Sequence, residues 1–139
     1  MAQEPLVAEL ERLVHNHIRL VDSTRAVLVK AKKVGDASLL DARARKLMEV
    51  SQKLETVLRG VERVLEKLKQ RDEYRERLEL LLFFLYEVGL NEEARLWKAI
   101  VESRDALKDA AVLEVAEFMA SRSENLRKQV SDLLEKVKS

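Results

Sequence analysis

Four polar side chains interrupt the apolar stripes of this sequence, and they are its first candidates for chemistry. They are His17, Thr24, Ser51 and Ser123. A buried polar group without a hydrogen-bond partner costs about 1–3 kcal/mol. Because all four fall near one level of the predicted fold, they predict a satisfied network, a water-filled cavity or a ligand pocket. We expect such a pocket to be lined also by Tyr86 and Trp97.

Metal binding and catalysis find little support in the spacing of these residues. His15 and His17 are two positions apart, so on a helix they point about 200° apart and cannot chelate one ion. Glu11 and His15 share a face but offer only two ligands. The paired Glu-x-x-His ligands of di-iron bundles are missing. We therefore predict no metal, no cofactor and no enzymatic activity, with a haem held by His17 as an alternative.

An apolar run in the third quarter of the chain predicts a binding surface. Seven apolar or aromatic residues follow one another from Leu80 to Tyr86. In a helical frame Leu80 and Phe83 point outward, between acidic neighbours. Exposed apolar residues with a polar rim are typical of protein-binding patches. The pair predicts either a protein partner or self-association.

The elements that position these residues are helices. Apolar residues recur at alternating steps of four and three, and short polar residues that suit helix N-caps precede the segments at Asp36, Asp72 and Asp105. The predicted helices span about 4–34, 37–70, 73–88 plus 92–103, and 106–138. Short connections favour antiparallel neighbours, which predicts an all-α, up-down-up-down four-helix bundle. The alternative is three long helices with an inserted helical hairpin.

The third helix is predicted to be interrupted near Gly89–Asn91. Its apolar rhythm fails after Val88 and resumes out of phase at Ala94 and Trp97. Gly89 suits a left-handed residue that ends a helix, and Asn91 suits the N-cap of the next one. We expect a positive φ at Gly89.

Composition limits the classes of function. The 139 residues fit one domain (1–139), and 26 basic against 25 acidic side chains leave a net charge of +1. This balance gives no reason to expect nucleic acid or an anionic membrane surface as a partner. No apolar run approaches the roughly 20 residues of a spanning helix, and no signal peptide is recognisable. We expect a cytoplasmic or recombinant protein.

The even segment lengths, repeated Asp caps, balanced charge and absence of cysteine resemble computationally designed four-helix bundles. Locally, "FFLYEVGL" followed by "LEVAEFMAS" resembles parts of the second and third helices of granulocyte colony-stimulating factor, a helical cytokine. That resemblance implies a receptor ligand with Glu114 and Glu117 as acidic contacts. The cytokine family has aspartates there and long overhand connections that this chain lacks.

The first functional hypothesis is a non-catalytic helical-bundle scaffold or protein-binding module that presents a helix face. The first alternative is binding of a small molecule or haem in a mid-bundle pocket near His17. The second alternative is a cytokine-like receptor ligand.

Overall fold

Helices account for nearly the whole chain. The computed structural model describes residues 3–139, with side chains described from residue 5 onward. It is 92% helical, and these residues include no strand, so the predicted all-α class is confirmed. The elements are α1 (Gln3–Val34), α2 (Ser38–Arg63), α3 (Leu65–Leu68), α4 (Asp72–Phe84), a π-helical turn (Leu85–Gly89), α5 (Leu90–Glu102), α6 (Arg104–Leu107) and α7 (Ala110–Lys138).

Pairings between the long helices fix their directions. α1 and α2 are antiparallel, because Leu6 faces Gly60 while Ser23 accepts a hydrogen bond from Arg43 at 2.9 Å. α1 runs parallel to α4 and α5: Glu11 lies 3.9 Å from Arg77, and Arg25, farther along α1, pairs with Glu92. α7 packs on α2, α4 and α5.

The core is divided into two apolar clusters along its length. One cluster lies at the level of Leu10, Leu58 and Leu78, and the other lies at the level of Leu28 and Ile100. Between them the buried residues include His17, Ser51 and Glu93. The polar level predicted from the sequence is therefore a layer between two apolar layers.

The predicted interruption of the third helix is wrong. Gly89 has φ −57° and ψ −57°, which are right-handed helical values, and Asn91 lies within α5. The chain instead passes from α4 to α5 through the π-helical turn Leu85–Gly89. A π turn closes hydrogen bonds from i to i+5 and so absorbs one extra residue. The π turn therefore accommodates the shift in the spacing of apolar residues after Val88, and the helix does not end there.

Other boundaries also differ from prediction, and the predicted N-cap Asp72 is itself the first residue of α4. The predicted helix 37–70 is interrupted at Val64, where φ is −112° and ψ is 13°. The predicted helix 106–138 starts at Ala110, because Asp109 is its N-cap and Asp105 lies in the short α6. Lys108, with φ 52°, is left-handed and turns the chain between α6 and α7.

Candidate functional site

The centre of the polar layer is a glutamate. Glu93 lies one turn into α5 and is 1% exposed. The π-helical turn sets the phase of α5 so that Leu90, Glu93 and Trp97 all face the interior. A buried carboxylate is stable only when hydrogen-bond donors or opposite charges surround it.

Donors reach both oxygens of this carboxylate. Ser51 Oγ of α2 donates to Glu93 Oε1 at 2.9 Å, and His17 Nε2 of α1 lies 2.6 Å from the same oxygen. Trp97 Nε1 donates to Oε2 at 2.7 Å from the next turn of α5. We call His17, Ser51, Glu93 and Trp97 the Glu93 cluster. It joins α1, α2 and α5 at one point.

The protonation of the Glu93 cluster follows from its contacts. The His17 ring is fully buried, and its Nδ1 has no hydrogen-bond partner in the described structure. A proton on Nδ1 would be a buried donor without an acceptor, whereas a proton on Nε2 is accepted by Glu93. We therefore assign the donated proton to Nε2 of His17, with the Glu93 carboxyl oxygen Oε1 as its acceptor.

Gly89 is the residue that makes room for the imidazole. A Cβ atom at this position would lie 3.2 Å from His17 Nδ1 and 3.3 Å from Leu85 Cδ1. Both distances are shorter than an ordinary van der Waals contact. Close approach of these side chains, and not a left-handed backbone, therefore favours glycine at this position.

A small pocket adjoins the Glu93 cluster between α2, α5 and α7. Its volume is about 120 Å³, and its lining includes Ser51, Glu93, Ser123 and the ion pair of Glu55 with Arg122. Arg122 Nη2 lies 3.0 Å from Glu55 Oε2, and Arg59 pairs with the other oxygen of Glu55, so two guanidinium groups share this carboxylate. The pocket is below the roughly 300–1,000 Å³ of sites for drug-sized ligands. Nor is either ring nitrogen of His17 open to a haem iron.

The structure brings only three of the six predicted pocket residues together. His17, Ser51 and Trp97 meet at Glu93. Thr24 Oγ1 donates to Leu20 O of its own helix at 2.6 Å. Ser123 Oγ likewise donates to Ala120 O at 3.1 Å, although Ser123 also lines the pocket.

The sixth predicted pocket residue, Tyr86, lies outside the polar layer. It is half-buried, and the Arg127 guanidinium lies 4.6 Å from its ring centroid. Tyr86 lines only a surface depression beside α7. It therefore contributes nothing to the Glu93 cluster.

Glu93 itself is absent from the residues that the sequence predicts for the polar level. The sequence predicts that the buried side of the helix resumes at Ala94 and Trp97. In the structure the buried residues of α5 also include Leu90, Glu93 and Ile100. Leu90, Glu93, Trp97 and Ile100 follow the same alternating steps of three and four as the other stripes. Restarting that rhythm at Leu90 would have identified the glutamate.

The predicted surface pair is exposed. Leu80 is 72% exposed and Phe83 is 53% exposed. Phe84 and Val88 lie on the same side of the helix and are also exposed. We call Leu80, Phe83, Phe84 and Val88 the α4 face.

Acidic residues border the α4 face. They are Glu76, Glu79 and Glu87, of which the first and last are exposed. No basic side chain from residue 5 onward forms an ion pair with any of them. The face therefore combines an apolar centre with a rim of unneutralised negative charge.

The described part of the chain contains neither a metal-binding cluster nor a membrane-spanning helix. Among residues 3–139, no three His, Asp or Glu side chains are grouped so as to hold a metal ion. Within the same range, every helix is too short or too polar to cross a bilayer. Comparison of the chain with protein-family models, curated proteins and solved structures gave no significant match.

Proposed function

We propose that the chain is a non-catalytic binding module that presents the α4 face to a protein partner. The observation that carries this proposal is the apolar face with its unpaired acidic rim. Aromatic residues are enriched in the centres of protein interfaces, and Phe83 and Phe84 supply them here. Leu80 and Val88 extend the face along the helix.

The scaffold that we propose is an up-down-up-down four-helix bundle. In this arrangement α1 is the first helix, α2 with α3 is the second, α4 with α5 is the third, and α7 is the fourth. The antiparallel pairing of α1 with α2 and the parallel course of α1 and α4–α5 support it. Such a bundle would hold the α4 face on a rigid outer surface.

Charge indicates the kind of partner. A second copy of the chain would bring its own acidic rim against Glu76, Glu79 and Glu87, and like charges across an interface oppose binding. A partner helix with an apolar stripe and flanking Lys or Arg residues would complement both features. We therefore propose a basic amphipathic helix of another protein as the occupant.

A role in binding alone also agrees with the geometry of the polar layer. Ser51 donates its proton to Glu93 and not to His17, so the serine–histidine hydrogen bond of a nucleophilic pair is not formed. His17 has no exposed atom that could exchange protons with a substrate.

The test uses a synthetic helical peptide with leucines at i, i+3, i+4 and i+7 flanked by lysines. We expect saturable binding in fluorescence anisotropy, and at least tenfold weaker binding after Leu80→Lys with Phe83→Lys. The matched control is Leu39→Lys with Val29→Lys, since both residues are also more than half exposed but lie elsewhere. All variants should keep their helical circular dichroism.

Three results would contradict the proposal. The first is equal binding by the α4-face variant and the control variant. The second is equal binding of a peptide in which glutamates replace the flanking lysines. The third is a concentration-dependent dimer in analytical ultracentrifugation that is lost in the Leu80→Lys, Phe83→Lys variant. This result would identify a second copy of the chain as the occupant.

A further inference from the structure

A short apolar groove lies at the end of the bundle where α1 passes into α2. Its apolar lining consists of Val27, Ala31 and Val34 of α1 and Leu39 of α2. Val34 is 69% exposed and Leu39 is 53% exposed. An apolar group that occupied this concave surface would remove both side chains from water, which favours binding. We call the surface formed by these four residues and Lys30 the α1–α2 groove.

Basic side chains dominate the border of the α1–α2 groove. Lys30 is part of its lining, and Lys32 and Lys33 lie in the last turn of α1. From residue 5 onward, no acidic side chain forms an ion pair with any of these lysines. Asp36 also lines the groove, and its carboxylate accepts hydrogen bonds from the hydroxyl and the N–H of Ser38. Three lysines against one aspartate leave this turn positively charged.

The neighbouring parts of the bundle end do not cancel this charge. Asp41, in the first turn of α2, is paired with Arg45. The short α6 contacts α1, and α6 with the turn after it carries two basic and two acidic side chains: Arg104, Lys108, Asp105 and Asp109. These contributions sum to zero. The groove therefore combines an apolar floor with a net positive border, which is the reverse of the acidic rim of the α4 face.

We propose that the α1–α2 groove binds a medium-chain alkyl carboxylate, with the alkyl chain on the apolar lining and the carboxylate at Lys30. The volume of about 270 Å³ corresponds to about nine heavy atoms at about 30 Å³ each, which is close to the size of octanoate. The Lys30 ammonium group supplies three N–H donors, and charge-assisted hydrogen bonds to carboxylates are the stronger ones. The site shares no residue with the α4 face and is independent of the proposed partner.

The dimensions of the groove favour one free ligand over a lipid bilayer as the source of the carboxylate. Val27 and Val34 are two helical turns apart, which is about 10 Å at 1.5 Å per residue. One extended alkyl chain of medium length fills that distance. A bilayer surface is flat over a much larger area and would touch only the outer edge of the concave lining.

Methyl resonances of Val34 and Leu39 provide direct reporters of occupancy. We expect sodium octanoate, kept below micelle-forming concentrations, to shift both resonances saturably in ¹H–¹³C NMR spectra. Octylammonium chloride has the same chain but the opposite charge, so it should bind at least tenfold more weakly. Sodium butyrate should also bind at least tenfold more weakly, because its short chain covers less of the apolar lining.

Two matched pairs of substitutions test the location. Val34→Ser removes apolar lining and should weaken octanoate binding at least fivefold, whereas Val29→Ser should not, because Val29 is exposed on the same helix but lies outside the lining. Lys30→Gln removes the charge and should weaken binding at least fivefold, whereas Lys32→Gln should change it little. All four residues are exposed, so each variant should keep its helical circular dichroism.

Several results would overturn the proposal. A linear, non-saturating shift with octanoate would show unspecific partitioning, and equal binding of octylammonium would show that Lys30 does not select the ligand. Unchanged octanoate affinity in folded Val34→Ser or Lys30→Gln would place the ligand elsewhere. Binding to phosphatidylglycerol vesicles that Lys30→Gln weakens, without a saturable response to free octanoate, would identify a membrane surface as the occupant instead.

Discussion

Replacing Gly89 with alanine tests whether the imidazole of His17 dictates this position. Gly89 has helical backbone angles, so the change should gain about 1 kcal/mol of helix propensity if nothing opposed it. The new methyl group would, however, lie 3.2 Å from His17 Nδ1 and 3.3 Å from Leu85 Cδ1. Both neighbours are fully buried, and His17 is held by Glu93.

The cost of that crowding exceeds the gain in propensity. Overpacking a close-packed interior costs about 1–3 kcal/mol, and moving the ring would also lengthen a 2.6 Å hydrogen bond to the carboxylate. Subtracting the propensity gain leaves a net loss of about 1 kcal/mol for Gly89→Ala. The loss arises from side-chain contact and not from a positive φ.

The chain contains its own control for this prediction. A Cβ atom at Gly60 would meet only the methyl groups of the half-buried Leu6, at 3.3 Å and 3.7 Å. A leucine end can rotate away, so Gly60→Ala should stabilise α2 by up to about 1 kcal/mol. The two substitutions should therefore differ by about 2 kcal/mol in urea unfolding.

Equal stabilisation by Gly60→Ala and Gly89→Ala would refute this reasoning. A double-mutant cycle locates the cause. In a His17→Ala background the crowding with the imidazole is removed and only that with Leu85 remains, so Gly89→Ala should become less harmful than it is in the unmodified chain. An unchanged effect of Gly89→Ala in that background would show that His17 is not the opposing group.

Two further predictions concern the ends of helices. Asp109→Ala should destabilise the protein by about 0.5–2 kcal/mol in urea unfolding, because its carboxylate accepts from the backbone N–H groups of Ala111 and Val112. Asp105→Ala should have almost no effect, and equal losses would contradict the placement of the cap. The pKa of Asp36 lies below its ordinary value because the Ser38 hydroxyl and, to a smaller extent, the Ser38 N–H donate to it. This contribution to stability is present above the unfolded pKa of about 3.8 and is lost as pH falls through the lower folded pKa. Ser38→Ala should raise the Asp36 pKa in a carboxyl NMR titration, and an unchanged value would contradict the assignment.

Periodicity predicted the helices and much of the polar layer. The alternating steps of three and four place His17 and Ser51 on buried stripes, and the structure buries both. The outward direction of Leu80 and Phe83 followed from the same rule. These features depend on helix geometry alone, which the sequence expresses directly.

The spacing of apolar residues could not predict the π-helical turn or the burial of Glu93. A helix end and a π turn both appear in sequence as a slip of the apolar rhythm, and glycine is compatible with either. What distinguishes them here is the contact of Gly89 with His17, which lies far away in the chain. The cap at Asp109 was missed for a related reason, because Asp105 offers the same local chemistry four residues earlier.

The Glu93 cluster also constrains how the helices can slide. Glu93 contacts α1 through His17 and α2 through Ser51, so its position along both helices is fixed at once. A shift of α5 by one turn along α2 would place the carboxylate beside Leu47 or Leu54, where nothing donates a hydrogen bond to it. Leaving a buried charge without partners costs several kcal/mol, whereas an apolar residue at position 93 would tolerate such a shift. The glutamate therefore selects one register among several that the apolar stripes alone would permit.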